Sequence, residues 1–213
     1  MDPQIVSNVL YASRMHEALL SLPSISIVTE TAHMFDASTG IYTHPENRGV
    51  AWERPVSFEW IDTGGKKGFQ INAGLRIYGG AFRGFGLTKK KSFRVLFKAE
   101  YGESKLKASL FEGEGAATKF DTLVMRAGAN DGWNFWGGDG TQFVVDEFMR
   151  RTQLAFGHPS SHGTFAHLYI NGLYWGMYNL VERPDAAFSS TYFGGTENDW
   201  DGINAGDPTG ESN

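Results

Sequence analysis

The chain has 213 residues, 41% of them hydrophobic and 20% charged, enough for one well-buried globular domain or for one domain and part of another. A formal net charge of -5 argues against a general nucleic-acid binder, and no apolar run approaches the ~20 residues of a membrane span. There is no cysteine, hence no disulfide framework, while 16 Phe, 8 Tyr, 6 Trp and 27 Gly favour sheets with tight turns over a helical bundle.

The opening MDPQIVSNVLYASRM lacks the basic region and apolar core of a signal peptide. A helix is expected from about Asn8 to Leu22, where Pro23 ends it. Ser24 to Thr29 alternates as a short strand, Thr31 to Phe35 suits one helical turn, and Asp36 to Pro55 is a polar loop. Val56, Phe58 and Trp60 share one face of the next strand, and Thr63 to Gly68 forms a loose turn.

The stretch from Phe69 to Lys98 reads as strand, glycine-rich turn, lysine cluster, strand. Phe69, Ile71, Ala73, Leu75 and Ile77 alternate with polar or small residues, and the pattern resumes at Ser92 with Phe93, Val95 and Phe97. Between them lie Gly79, Gly80, Gly84 and Gly86 with Arg83, Lys89, Lys90 and Lys91. Glycines let backbone N–H groups approach an anion, and the cations supply charge to hold it. The spacing matches neither GxxxxGK[ST] nor GxGxxG, so a phosphate-covering loop and a solvated hairpin connection both fit.

Ala99 to Thr118 is mostly loop, anchored by Leu106, Leu110 and Phe111, and Phe120 to Arg126 is a further strand. After a glycine and aromatic loop from Ala127 to Gly140, Thr141 is placed to cap a helix reaching Phe156. Val144, Phe148, Arg151 and Ala155 lie along one side of it, flanked by Val145, Met149 and Thr152. Gly157 and Pro159 close it. Two alternating strands, Thr164 to Ile170 and Leu173 to Glu182, are joined by Asn171-Gly172, a type I′ hairpin signal. A last helix runs from about Pro184 to Phe193. The order of elements predicts an α+β fold, mostly antiparallel sheet with one or two packed helices.

Several constellations lack a component. Asp199, Asp201 and Gly202 resemble an EF-hand loop, but its twelfth position is Pro208. His158, His162 and His167 have no accompanying carboxylate at helical spacing, and there is no GxSxG elbow. Asp146 and Glu147 belong either to a solvated helix face or to an acid that orients a phosphate-binding lysine. Glu182, just before Arg183-Pro184-Asp185, suits a cap, a pair with Arg183 or a ligand cleft.

GGAFRGFGLTKKKSFRVLFKAEYG, then FDTLVMRAGANDGWN, then HLYINGLYWGMYNLVERPDAAFSSTYFGG together resemble the spore-coat protein H (CotH) kinase family. The family pattern falls on Gly79, Gly80 and Arg83; on Lys90 to Arg94; on Arg126, Gly128, Asn130 and Asp131; and on Tyr169 through Asp185. Tyr78 and Phe82 depart from it, standing where the family often has His and Ser. The resemblance implies an atypical kinase with a sheet like the N-lobe of kinase-like folds, moving the γ-phosphoryl of ATP, with Mg2+, to Ser/Thr of a protein substrate. The chain then divides into an N-terminal helical extension over 1–22, ahead of the matching stretch, and the N-terminal part of the kinase domain over 23–213. Gly79, Gly80, Arg83, Lys90, Lys91, Arg94, Glu147 and Glu182 then become nucleotide-binding candidates: Lys90 or Lys91 on the phosphates, Glu147 or Asp146 orienting the lysine. Family members continue into an Asn-Trp-Asp segment and a later Asp, which look like the catalytic base and metal ligands. On that comparison the catalytic residues and metal ligands are expected beyond Asn213. The chain is then expected to be a nucleotide-side fragment, inactive alone, whose partner is the remaining lobe. An envelope or extracellular setting follows from the family only. The alternative is a non-catalytic envelope or surface interaction module, with Trp133, Trp136 and Trp175 as contacts.

Overall fold

Alternation along the strands sorts side chains to two faces, and one of those faces closes around a core. The computed structural model describes residues 3–63, 68–113, 115–132 and 141–202. The turn expected over 64–67 and the side chains of Trp133 and Trp136 lie outside them. So does the terminal stretch 203–213, with Pro208 of the EF-hand comparison and Asn213, beyond which the catalytic groups are expected. The long strands are β1 (Ser24–Val28), β2 (Arg54–Ile61), β3 (Phe69–Tyr78) and β4 (Ser92–Leu96). The short β5 (Leu106–Lys107) and β6 (Lys119–Phe120) pair only with each other. Then come β7 (Thr122–Arg126), β8 (Gly163–Ile170) and β9 (Leu173–Glu182). Seven of them form a closed barrel in the order β1-β2-β3-β4-β7-β9-β8, antiparallel throughout except where β1 meets β8.

That closure overturns the α+β expectation of a sheet with packed helices resembling a kinase N-lobe. The strand responsible is β1, which runs antiparallel to β2 and parallel to β8, with Ser24 opposite His167 and Ile27 opposite Ile170. Just beyond β1, the Thr29 N–H donates to Asn171 Oδ1 of the β8–β9 turn, 142 residues away. A periodicity of 2 reports which face a residue takes, but it carries no information about a parallel partner so remote.

The interior is filled with side chains, as a barrel of this size requires. Ile25, Ile27, Phe58, Leu75, Phe93 and Met125 are fully buried there. Tyr178 is also fully buried, and its hydroxyl donates to the Lys91 carbonyl at 2.9 Å. The β8–β9 turn takes the predicted form: Asn171 and Gly172 have φ of 49° and 79°.

Helices are short and peripheral: α1 (Pro3–Val6), α2 (Met15–Leu20), α3 (Thr31–Phe35), α4 (Val145–Ala155) and α5 (Ala186–Phe193). The single N-terminal helix expected from Asn8 to Leu22 is instead a 3-10 turn at Ala12–Arg14 running into α2, with α1 lying ahead of it. On α4 the expected cap and apolar stripe are both absent. The helix begins at Val145 rather than after Thr141, with no side-chain cap at Val144. Val144, Phe148 and Met149 are 55%, 64% and 60% exposed, and its one buried residue is Glu147. The docking force is polar: Glu147 accepts from Asn179 Nδ2 of β9 at 2.9 Å.

Candidate functional site

A cleft of about 560 Å³ lies on the barrel's outer wall, beside the end of β3, the middle of β4 and the start of α5. Gly79 and Gly80, immediately after β3, form one edge. Gly79 has φ of 118°, a conformation that strains any side chain, and a Cβ built on Gly80 would meet nothing within 4 Å. The turn is therefore a bare backbone surface facing open space.

Four arginines from separated stretches reach this cleft: Arg48, Arg83, Arg94 and Arg183. Arg83 is buried, and its guanidinium donates to the carbonyls of Pro45 at 2.7 Å, Ile77 at 2.8 Å and Asn47 at 2.6 Å. Its work is to pin the loop that carries Arg48. Arg94, on β4, pairs in register with Arg76 of β3. Glu53 claims Arg76, accepting from its Nε at 2.6 Å, and also takes Lys98 Nζ at 2.7 Å and the Tyr101 hydroxyl at 2.8 Å. Arg94 is only 9% exposed and bonds Thr122 Oγ1 at 3.4 Å. Burial first, then the neighbouring Arg183, pushes its pKa down to about 10, so it stays charged at neutral pH.

Opposite stand acids. Asp185 accepts from Arg183 Nη1 at 2.8 Å and, as the N-cap of α5, from the Phe188 N–H at 3.2 Å. Glu197 and Asp201 are exposed on the rim. Asp121, which precedes β7, also lines the cleft. Burial raises its pKa, as do the charges of Asp185 and Glu197, while Lys105 works the other way. A carboxyl whose folded pKa is raised favours folding when protonated, and that stabilisation is lost as pH rises through the folded pKa. Asp121→Asn is therefore expected to melt higher than the parent at pH 7, by roughly 2 °C, and to lose this advantage toward pH 4. An unchanged difference across that range, followed by circular dichroism, would show that the Asp121 charge carries no cost.

Of the eight sequence candidates, Gly79, Gly80, Arg83 and Arg94 meet in this cleft, and the other four lie outside its lining. Lys91 is fully buried; its ammonium donates to the Gly84 and Thr88 carbonyls and sits 4.3 Å from the Phe85 ring centroid. It holds the glycine loop shut on itself. Lys90 reaches across to β9, bonding the Met177 carbonyl at 2.5 Å and lying 4.3 Å from the Tyr178 ring centroid, and burial lowers its pKa to about 8. The expected acid–lysine pair does not form among the described residues. Glu147 is taken by Arg151 Nε at 2.7 Å, Arg150 Nη2 at 2.8 Å and Asn179, and Asp146 by Arg126. Burial opposes the charge of Glu147, yet these bonds outweigh it and keep the carboxyl below its usual range. Glu182 is buried beneath α5, accepting from His162 Nδ1 at 2.9 Å and from the Tyr192 hydroxyl at 2.6 Å.

Sequence reasoning missed Asp121, Arg48 and Trp200. The signal for Asp121 was available: an acid between Phe120 and the apolar run of β7 has to face something outside the core. Nothing local marks Arg48, because its loop is held at the cleft by Arg83 through the Pro45 and Asn47 carbonyls, 38 and 36 positions earlier in the chain.

Fold and site thus define a closed β-barrel with a mixed-charge, arginine-lined cleft on its outer wall. Residues 75–209, well over half of the chain, match the family model described as CotH kinase protein. The chain belongs to the CotH kinase family. No curated protein matches it significantly.

Proposed function

We propose that this chain is the nucleotide-binding part of an ATP-dependent protein Ser/Thr phosphotransferase, with the triphosphate seated in the outer-wall cleft. One observation carries the reading: the Gly79-Gly80 turn, Arg94 and the Arg183–Asp185 segment converge from distant stretches on one cavity of nucleotide size. Backbone N–H groups and buried guanidinium are what polyphosphate recognition calls for. Lys90, Lys91, Glu147 and Glu182 are bonded to protein partners outside the cleft lining and do not touch the ligand in this reading.

The acids across the cleft fit the divalent cation that accompanies a nucleotide. Among the described residues no three of His, Cys, Asp and Glu are grouped to hold a metal. Mg2+ commonly takes one or two carboxylates and completes its shell with phosphates and water. Asp121 and Asp185 are the carboxylates placed for that, and the ion would neutralise phosphate charge. The expectation that every metal ligand falls beyond Asn213 is revised here to that extent, while the group that positions the attacking hydroxyl stays assigned to that later part of the family pattern. The interaction-module alternative finds less support, since Trp175 is half-buried against Tyr42 and Phe35, at ring centroid distances of 5.5 Å and 6.0 Å.

Calorimetric titration of the chain with ATP and Mg2+ tests the proposal. Saturable binding, competed by inorganic tripolyphosphate, is expected. If neither ATP nor tripolyphosphate binds at about millimolar concentration, weaker than ~4 kcal/mol, the cleft is not a polyphosphate site.

A further inference from the structure

Trp200 lies on the wall of the same cleft as Gly80 and Arg94. Its indole N–H donates to the Gly194 carbonyl at 2.9 Å, and its ring packs on Phe193, the last residue of α5, with centroids 5.5 Å apart. The chain leading into it is also fixed. Thr196 and Asp199 form a reciprocal capping box around the 3-10 turn Glu197–Asp199, with the Thr196 N–H and hydroxyl donating to Asp199 Oδ2 at 2.7 Å and 2.8 Å. Those bonds hold the Asp199 carboxyl below its usual pKa. An otherwise exposed polar segment thus presents one half-buried indole whose polar edge is already satisfied and whose orientation is set before any ligand arrives.

A pre-ordered aromatic surface beside buried guanidinium matches a ligand with a flat heterocycle at one end and phosphates at the other. We propose that Trp200 is the nucleobase platform of this cleft, stacking on the base of a nucleoside polyphosphate whose phosphates sit between the Gly79-Gly80 turn and Arg94. This rests on the polyphosphate reading above and adds a specificity to it. Stacking reads the face of a base and not its hydrogen-bonding edge, so the site takes adenine and guanine nucleotides with similar affinity.

The experiment titrates ATP, GTP and tripolyphosphate into the parent chain and into Trp200→Ala and Trp200→Phe. Trp200→Ala is expected to weaken both nucleotides about tenfold or more while leaving tripolyphosphate unchanged, and Trp200→Phe to keep most of the nucleotide affinity. Unchanged tripolyphosphate binding also certifies that the alanine variant is folded. The inference is overturned if Trp200→Ala weakens tripolyphosphate as much as ATP, which marks the indole as a structural anchor of the segment after α5. It is equally overturned if the parent binds tripolyphosphate as tightly as ATP, because the base then contributes nothing; the phosphate reading survives both results. Failure of all three ligands to bind the parent removes the phosphate reading instead, and the platform with it.

Discussion

Glu147→Ala is expected to lower the stability of the chain by about 3 kcal/mol, a fall in Tm of roughly 6–12 °C. The carboxylate is 5% exposed and is the only buried residue of α4. It holds Arg150, Arg151 and Asn179 at 2.8 Å, 2.7 Å and 2.9 Å. Removing it leaves Arg150, itself 15% exposed at the side chain, without its counter-charge and with the Asn179 amide oxygen as a neutral acceptor, while Asn179 Nδ2 keeps only the Thr164 carbonyl at 3.2 Å. Losing one partner of a buried pair costs more than the pair contributes, because the desolvated charge stays behind. Gly163 belongs to the same arrangement: a Cβ there would collide with Glu147 Oε2, so β8 must be bare for the helix to dock. Gly163→Ala should therefore destabilise through α4 as well. By contrast, Phe148→Ser on the exposed face should change stability by no more than about 0.5 kcal/mol. The pH dependence has a definite sign. With its folded pKa below the usual range, Glu147 contributes fully above the unfolded value, and the contribution is lost as pH falls through the folded one. Glu147→Gln should accordingly differ most from the parent at neutral pH and converge with it in acid. Urea denaturation decides the matter: a stable Glu147→Ala beside a collapsed Phe148→Ser would mean that apolar contact, not the carboxylate, docks the helix.

That helix marks where sequence periodicity stops being informative. Its existence follows from composition and from Gly157, whose φ of 77° ends it. Its buried face does not, because spacing assigns burial to apolar residues, and here the polar contacts of Glu147 and Arg150 with Asn179 of β9 face the barrel while Phe148 and Met149 stay exposed. The strands fared better for a local reason. β3, β8 and β9 alternate against a filled interior, and the Asn171-Gly172 turn fixes the last two in register. Closure by β1 is a contact between chain segments far apart in sequence, so no window of residues encodes it. The cleft divides in the same way. Gly79, Gly80, Arg83 and Arg94 were legible because β3 and β4 are adjacent strands, and a turn between them collects its own residues. Lys90 and Lys91 share that turn, yet they spend their ammonium groups on carbonyls and aromatic rings. A cation in a glycine loop does not by itself reveal whether it faces a ligand or the protein.

Arg94→Ala is expected to weaken ATP binding about 100-fold, against roughly threefold for Arg48→Ala, although each removes one positive charge from the same cleft. The difference lies in solvent. Arg94 is 9% exposed, backed by the barrel wall and flanked by Arg183 and Arg76, so its field on a nearby phosphate is poorly screened. Arg48 stands exposed on its loop, where water and salt take up most of its charge. Bringing a phosphate to Arg94 also relieves the mutual repulsion with Arg183 that helps to lower the Arg94 pKa, a gain that an exposed cation cannot offer. Arg183→Ala should fall between the two, since it removes a largely buried cation whose charge is already partly spent on Asp185. Arg94→Lys keeps the charge but not the planar pair of donors, and should recover only part of the loss. Titrations at two salt concentrations make the ranking sharper: the Arg48 contribution should fade by about 0.5 M salt, while most of the Arg94 contribution persists. If Arg48→Ala proves the more damaging change, the phosphates bind at the rim, and the buried guanidinium belongs to the barrel wall alone.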